Sequence, residues 1–181
     1  MRIIFVGQAP FGAETLEKLL DNQETVVGVI TTPEQPNQRQ PNPVRLCAEK
    51  HDLPLLQPKR LKSPEAVAWV KNLAPDLLVL AFVTSFVPGE MIKCARHGGI
   101  NYHPSLLPKY RGGSAINWAV INGEEETGVS VHFIDEGVDT GPILLQEKVA
   151  IEPDDTVKSI YFGKLYPMGV RMMAEAVRLI R

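Results

Sequence analysis

Short apolar runs alternate with segments of helical spacing over the first eighty residues. Residues 3–6 are apolar, largely β-branched, and stop at Gly7, so they read as a buried strand. Helical spacing follows over 11–20, with Leu16, Leu19 and Leu20 on one face. Residues 26–30 form a second buried run, 33–43 a proline-rich loop, and 44–51 and 63–72 two helices. The last of these carries Ser63 as N-cap, Pro64 at the first helical position and Glu65 in the first turn. A third strong strand spans 77–82. This alternation predicts a Rossmann-like α/β fold: an open, mostly parallel sheet with helices on both faces.

From residue 99 the rhythm changes. A short strand over 99–102 runs into a loop rich in proline and glycine that ends at Gly113, and 114–121 is helical. Residues 127–134 then alternate, with Val129, Val131 and Phe133 set against Ser130 and His132, as a half-buried strand does. The turn 135–141 leads to another strand over 143–149, so an antiparallel pair is expected in the C-terminal part. Residues 155–181 close the chain as a long helical stretch with a break around Pro167. Without a repeat or a low-complexity segment, residues 1–181 are expected to form one domain.

Composition changes the picture only by exclusion. With 44% hydrophobic residues, 22% charged residues and a net charge of −2, the chain is an ordinary globular one without the basic surplus that holds a long nucleic acid. A small-molecule substrate is therefore expected. The first apolar run is too short for a signal segment or a membrane span, which points to the cytoplasm. Cys47 and Cys94 have neither a CxxC partner nor, on this reading, a histidine nearby, and are taken as idle thiols of a reducing compartment.

Three segments could carry chemistry. Gly7, Gln8, Pro10, Phe11 and Gly12 form a turn between a strand and a helix, where free N–H groups can hold an anion, although the spacing matches neither GxGxxG nor a P-loop. Asn101 and His103 stand two apart on an extended segment, so both side chains face one way, at a strand end where open sheets place ligands. An amide beside an imidazole can donate hydrogen bonds to an oxygen gaining negative charge, and Pro104 and Pro108 stiffen the loop behind them. His51, His97 and His132 lack such company and are read as structural or surface residues. The turn 135–141 offers Asp135, Glu136 and Asp139, and spacing does not choose among them. A carboxylate that reaches His103 would fix its tautomer and raise its pKa, giving a charged donor or an acid/base near neutrality. No metal-binding signature such as HExxH occurs.

The block HGGINYHPSLLPKYRGGSAINW, followed by IDEGVDTGPILLQ, resembles the formyltransferases that use 10-formyltetrahydrofolate. The resemblance extends over essentially the whole chain. It implies a catalytic set of Asn101, His103 and Asp139, which selects one of the three acids. It also implies 10-formyltetrahydrofolate as co-substrate, in a pocket near Phe82, Phe86 and Val87 closed by Glu136, Gly137, Val138 and Asp139. An amine acceptor is expected beside Gly7, Gln8, Pro10, Phe11 and Arg111, and Leu107–Pro108 corresponds to a bond that can be cis in relatives.

Within the family the GQ-x-x-FG turn, the RHG at Arg96, the SAINW at Ser114 and the C-terminal PDDTV-to-AVRLI segment are most like the hydrolase domain of 10-formyltetrahydrofolate dehydrogenase. That domain has an apolar residue where this chain has Asn101, which favours transfer over hydrolysis, and the complete set weighs against the further alternative of a catalytically silent folate-binding module. The Gly-Ser-Asn phosphate turn of the glycinamide ribonucleotide enzymes is missing at Gly7-Gln8-Ala9-Pro10. The basic insertion of the transfer-RNA enzymes is represented only by Arg39. Their C-terminal domain is absent from the sequence, so transfer RNA is a disfavoured acceptor on this reading.

Overall fold

A computed structural model describes residues 1–181. Seven strands form one sheet: β1 (Arg2–Gly7), β2 (Thr25–Ile30), β3 (Leu55–Leu56), β4 (Leu77–Ala81), β5 (Gly99–His103), β6 (Glu126–Phe133) and β7 (Ile143–Ala150). Their order is β3-β2-β1-β4-β5-β6-β7. Every pairing is parallel except those of β6, which runs antiparallel to both β5 and β7. The expected open, mostly parallel sheet with an antiparallel element near the C-terminal part is therefore present.

The helices are α1 (Ala9–Asp21), α2 (Pro43–Lys50), α3 (Pro64–Leu73), α4 (Gly89–Ile92), α5 (Ala115–Ile121), α6 (Val157–Ile160) and α7 (Tyr166–Ile180). Two apolar clusters, one on each face of the sheet, explain their placement. On one face Ile3, Phe5, Leu77, Val79, Ile100 and Tyr102 pack with residues of α1, α2 and α7. On the other, Ile4, Val6, Leu78 and Leu80 pack with Ala66 and Val70 of α3 and with Met91 of α4. That second layer stops at β4. The same face of β5 and β6 carries Asn101, His103, Ser130 and His132, and loops cover it where a helix would otherwise lie.

Local chemistry agrees with several expected boundaries. The Ser63 hydroxyl accepts the Ala66 N–H at 3.2 Å and Pro64 opens α3, a cap worth about 1 kcal/mol. Asn42 caps α2 by accepting from Val44 and Arg45 while its amide donates to Thr31 and Thr32, which ties the proline-rich loop to the helix. Two elements were not expected, β3 and α4; at two and four residues they are too short to leave a periodic signal. The break expected around Pro167 lies just before it. Residues Tyr161–Leu165 form a π-helical turn and Pro167 sits inside the first turn of α7. Proline lacks the N–H that would bond one turn back, and the wider turn absorbs the mismatch without ending the helix. No helix is long and apolar enough to cross a membrane.

The seating of α7 depends on Gly169. A Cβ there would come within 2.4 Å of the Tyr102 ring and 2.9 Å of Phe11, whose ring centroid stands 4.3 Å from that of Tyr102. This close approach fixes β5 from behind, directly under the residues that face the loops.

Candidate active site

β5 and β6 supply four polar side chains by simple alternation. In their antiparallel register Asn101 lies opposite His132 and His103 opposite Ser130, so all four project to the same uncovered face. Ser130 is fully buried and organises the loop that follows β5. Its hydroxyl donates to the Ser105 carbonyl at 2.7 Å and accepts from the Leu107 N–H at 3.1 Å and the Gln146 amide at 2.8 Å. The Leu107–Pro108 bond in this loop is cis.

The acid arrives from the turn after β6. Asp139 has φ +50°, a left-handed conformation that costs a non-glycine residue roughly 1 kcal/mol or more. Its carboxylate accepts the Gly112 N–H at 2.9 Å through Oδ2, and Gly112 itself has φ +79°, open only to glycine without strain. The same Oδ2 is 3.3 Å from His103 Nδ1, while Oδ1 is 3.3 Å from His132 Nε2 and 3.4 Å from Asn101 Nδ2. The structure thus brings together Asn101, His103 and Asp139, as the resemblance implied. Asp135 instead closes its own turn through Gly137 and Thr140, and Glu136 points to solvent.

His132 joins them, which corrects its reading as structural or surface. The ring is buried, Nδ1 donates to the Phe133 carbonyl at 2.8 Å, and Nε2 lies 3.4 Å from Asn101 Nδ2. Half of the signal is in the sequence. Ser130 and His132 share the polar phase of 127–134, and the pairing register with 99–102 then sets that phase beside Asn101.

Protonation departs from expectation in one respect. Burial pushes the His103 imidazole below its ordinary value of 6.5, outweighing the upward pull of the Asp139 carboxylate and the Tyr110 carbonyl. That direction favours a neutral resting ring at pH 7 over the charged one expected. Its Nε2 lies 2.7 Å from the Tyr110 carbonyl, which can only accept, so the proton sits on Nε2. Nδ1, beside the carboxylate, is left to take up a second proton. For Asp139, burial pulls the pKa up, but His132, the Gly112 N–H and His103 outweigh it and hold the group at about 2. At neutral pH the site holds an ionised carboxylate beside two histidine rings and an amide.

These groups form one wall of a cavity of about 500 Å³. The opposite wall is the loop after β4, including Phe82, Phe86 and Val87, and the rim includes Gly137 and Val138. Phe86 and Val138 are exposed and apolar. Glu136 does not line the cavity. A second cavity of about 70 Å³ is lined by Gly7, Gln8, Thr31, Thr32, Pro33 and Lys59, and shares Val83 and Ser85 with the first. Gln8 donates to Thr84 at 2.9 Å, joining the two. The remaining expected acceptor contacts are not gathered there. Phe11 is fully buried in the core against Tyr102, so its side chain has no surface to offer, and Pro10 and Arg111 are exposed but line neither cavity.

The family model described as formyl transferase matches residues 1–176. The chain belongs to that family. It is 41% identical over 184 residues to a methionyl-tRNA formyltransferase of Geotalea uraniireducens (strain Rf4), covering 99% of this chain and 58% of that protein. To a cytosolic 10-formyltetrahydrofolate dehydrogenase of Xenopus laevis it is 45% identical over 185 residues, covering 99% of this chain and 20% of that protein. The chain thus spans little more than half of the first relative and a fifth of the second. A solved phosphoribosylglycinamide formyltransferase from Bacillus halodurans superposes with a TM-score of 0.85 at 27% identity, covering 99% of this chain and 95% of that one. The two sequence likenesses are comparable, so the low weight placed on a transfer-RNA acceptor finds no support in them.

Proposed function

We propose that this chain transfers a formyl group from 10-formyltetrahydrofolate to an amine, with Asn101, His103 and Asp139 as the reacting set. The observation that carries this reading is the convergence of an amide and an imidazole, each within 3.4 Å of one carboxylate, facing an apolar-walled cavity. The acceptor amine attacks the formyl carbon borne on N10, forming a C–N bond and a tetrahedral oxyanion. Asn101 Nδ2 donates to that oxygen; its present contacts, at 3.4 Å, are loose enough to yield to a stronger acceptor. His103 takes the proton released by the amine on Nδ1, and Asp139 stabilises the imidazolium so formed. The same proton then passes to N10 as the C–N10 bond breaks, releasing tetrahydrofolate and the formyl amide. His132 and the Gly112 N–H keep Asp139 ionised and aimed.

The folate ring system fits the side formed by Phe82, Phe86, Val87, Gly137 and Val138, and the acceptor enters from the smaller cavity at Gly7 and Gln8. With water in place of the amine the same groups would release formate, and the likeness to a 10-formyltetrahydrofolate dehydrogenase keeps that reading in play. The likeness to methionyl-tRNA formyltransferases places an aminoacyl-tRNA amine among the acceptors to be tried. The deciding experiment incubates the chain with 10-formyltetrahydrofolate and a panel: methionyl-tRNA, glycinamide ribonucleotide, an amino-sugar nucleotide, and no amine. Tetrahydrofolate formed only with an amine supports transfer; formate formed equally without one supports hydrolysis. Asn101→Ala should lower kcat about 10²–10³-fold. Unchanged turnover in that variant would remove Asn101 from the reacting set.

A further inference from the structure

Outside both cavities, the turn of α2 corrects another expectation. Cys47 was read as lacking a histidine, yet His51 follows it by four residues and so shares one face of the helix. Glu17 of α1 completes the group. Its Oε2 lies 3.1 Å from Cys47 Sγ and 2.9 Å from His51 Nε2. The three donor atoms all lie within 4.8 Å of one another. We propose that Glu17, Cys47 and His51 form a binding site for a zinc-class divalent cation that clamps α1 to α2.

A sulfur, an imidazole nitrogen and a carboxylate oxygen are the donor set that zinc favours over magnesium or calcium. Tetrahedral zinc with bonds of about 2.0–2.3 Å needs its ligand atoms about 3.3–3.6 Å apart, so the present hydrogen-bonded spacing must open by about half an ångström. Cys47 is 8% exposed and sits at the edge of the core, while Glu17 and His51 are each about one third exposed. The ion therefore has a closed side and an open side, where water can supply the fourth ligand. Binding exchanges the Cys47 S–H proton, released to solvent, for a metal–thiolate bond, with His51 neutral and coordinating through Nε2.

The charged groups around the site have opposing effects. Lys50 bonds Glu17 Oε1 at 2.7 Å and competes electrostatically with the cation, although it leaves Oε2 free. Asp21 lies near enough to Lys50 to favour its charge. Burial and the Glu17 carboxylate push the Cys47 thiol up to about 12 in the metal-free state, so affinity rises with pH as the cation displaces that proton.

The test uses the purified chain with cobalt(II) and zinc(II). Cobalt should give a near-ultraviolet thiolate charge-transfer band at one equivalent, and zinc should abolish it. Cys94 has no His, Asp or Glu ligand group gathered around it and so offers no comparable site. Cys47→Ser should lose the band, and His51→Gln should bind zinc at least about tenfold more weakly. Lys50→Ala should bind at least about threefold more tightly, and this variant leaves every ligand in place should Cys47→Ser unfold. Absence of the band in the wild-type chain, or zinc binding unaffected by all three substitutions, overturns the proposal.

Discussion

Replacing Asp139 by asparagine keeps the shape of the side chain and an oxygen for the Gly112 N–H, but removes the charge between the two histidines. Two unit charges 3.3 Å apart, as His103 Nδ1 and Asp139 Oδ2 would be once the ring is protonated, attract by roughly 5 kcal/mol at an effective dielectric of about 20. Solvent reaches one side of this pair, which reduces the figure to about 2–3 kcal/mol. That stabilisation exists only while His103 carries the amine proton, so its loss falls on kcat, by about a hundredfold, and leaves folate affinity within a few-fold. A stability effect must be kept separate. The folded carboxyl, at about 2 against an ordinary 3.8, contributes stability above pH 4 that is lost as the pH falls through 2. Asp139→Asn therefore lowers stability at neutral pH by up to about 2 kcal/mol and not at all below pH 2. Tetrahydrofolate production should be measured well below the variant's Tm, with folate binding titrated in parallel. A kcat within threefold of the wild-type value would refute the stabilised-imidazolium argument.

Two further outcomes follow from the same geometry. Because the His103 ring must start neutral and burial lowers its pKa, kcat/KM should be flat above pH 6.5 and fall on an acid limb whose midpoint lies below that value; a midpoint above 7 would mean that the carboxylate, not burial, governs the ring. Ser130→Ala removes the hydroxyl shared by Ser105, Leu107 and Gln146 inside the fold. Chemical denaturation should show a loss of about 1–3 kcal/mol, and kcat should fall as the loop behind His103 loosens.

Much of this molecule could be read from its pattern. Strands buried on both faces announce themselves as β1, β2 and β4 do, and Ser63-Pro64-Glu65 marks the start of α3 by chemistry that needs no tertiary context. Asn101 and His103 were visible as a pair because their spacing already implies one face. His132 was missed because its role comes from a partner strand thirty residues earlier, and a pairing register is not contained in either strand alone. The charge on His103 was misjudged for a related reason: a neighbouring carboxylate can be guessed, but burial is a property of the finished core. Phe11 failed as an acceptor contact because α1 turns it inward onto Tyr102. Cys47 and His51 lie four apart on the helix expected over 44–51, but Glu17 reaches them from α1, a contact that no spacing within either helix shows.

The antiparallel seam between β5 and β6 also restricts how this family's sequence can vary in length. Asn101, His103 and His132 keep their common face through a two-residue pleat, so losing or gaining one residue within either strand would turn part of the set toward α1 and α7. Loops around the cavity have no such parity, and the segment 31–43 can lengthen or shorten without moving a reacting atom. Substrate choice can therefore diversify by insertion there, while the interval between the two halves of the seam can change only in the turns outside it.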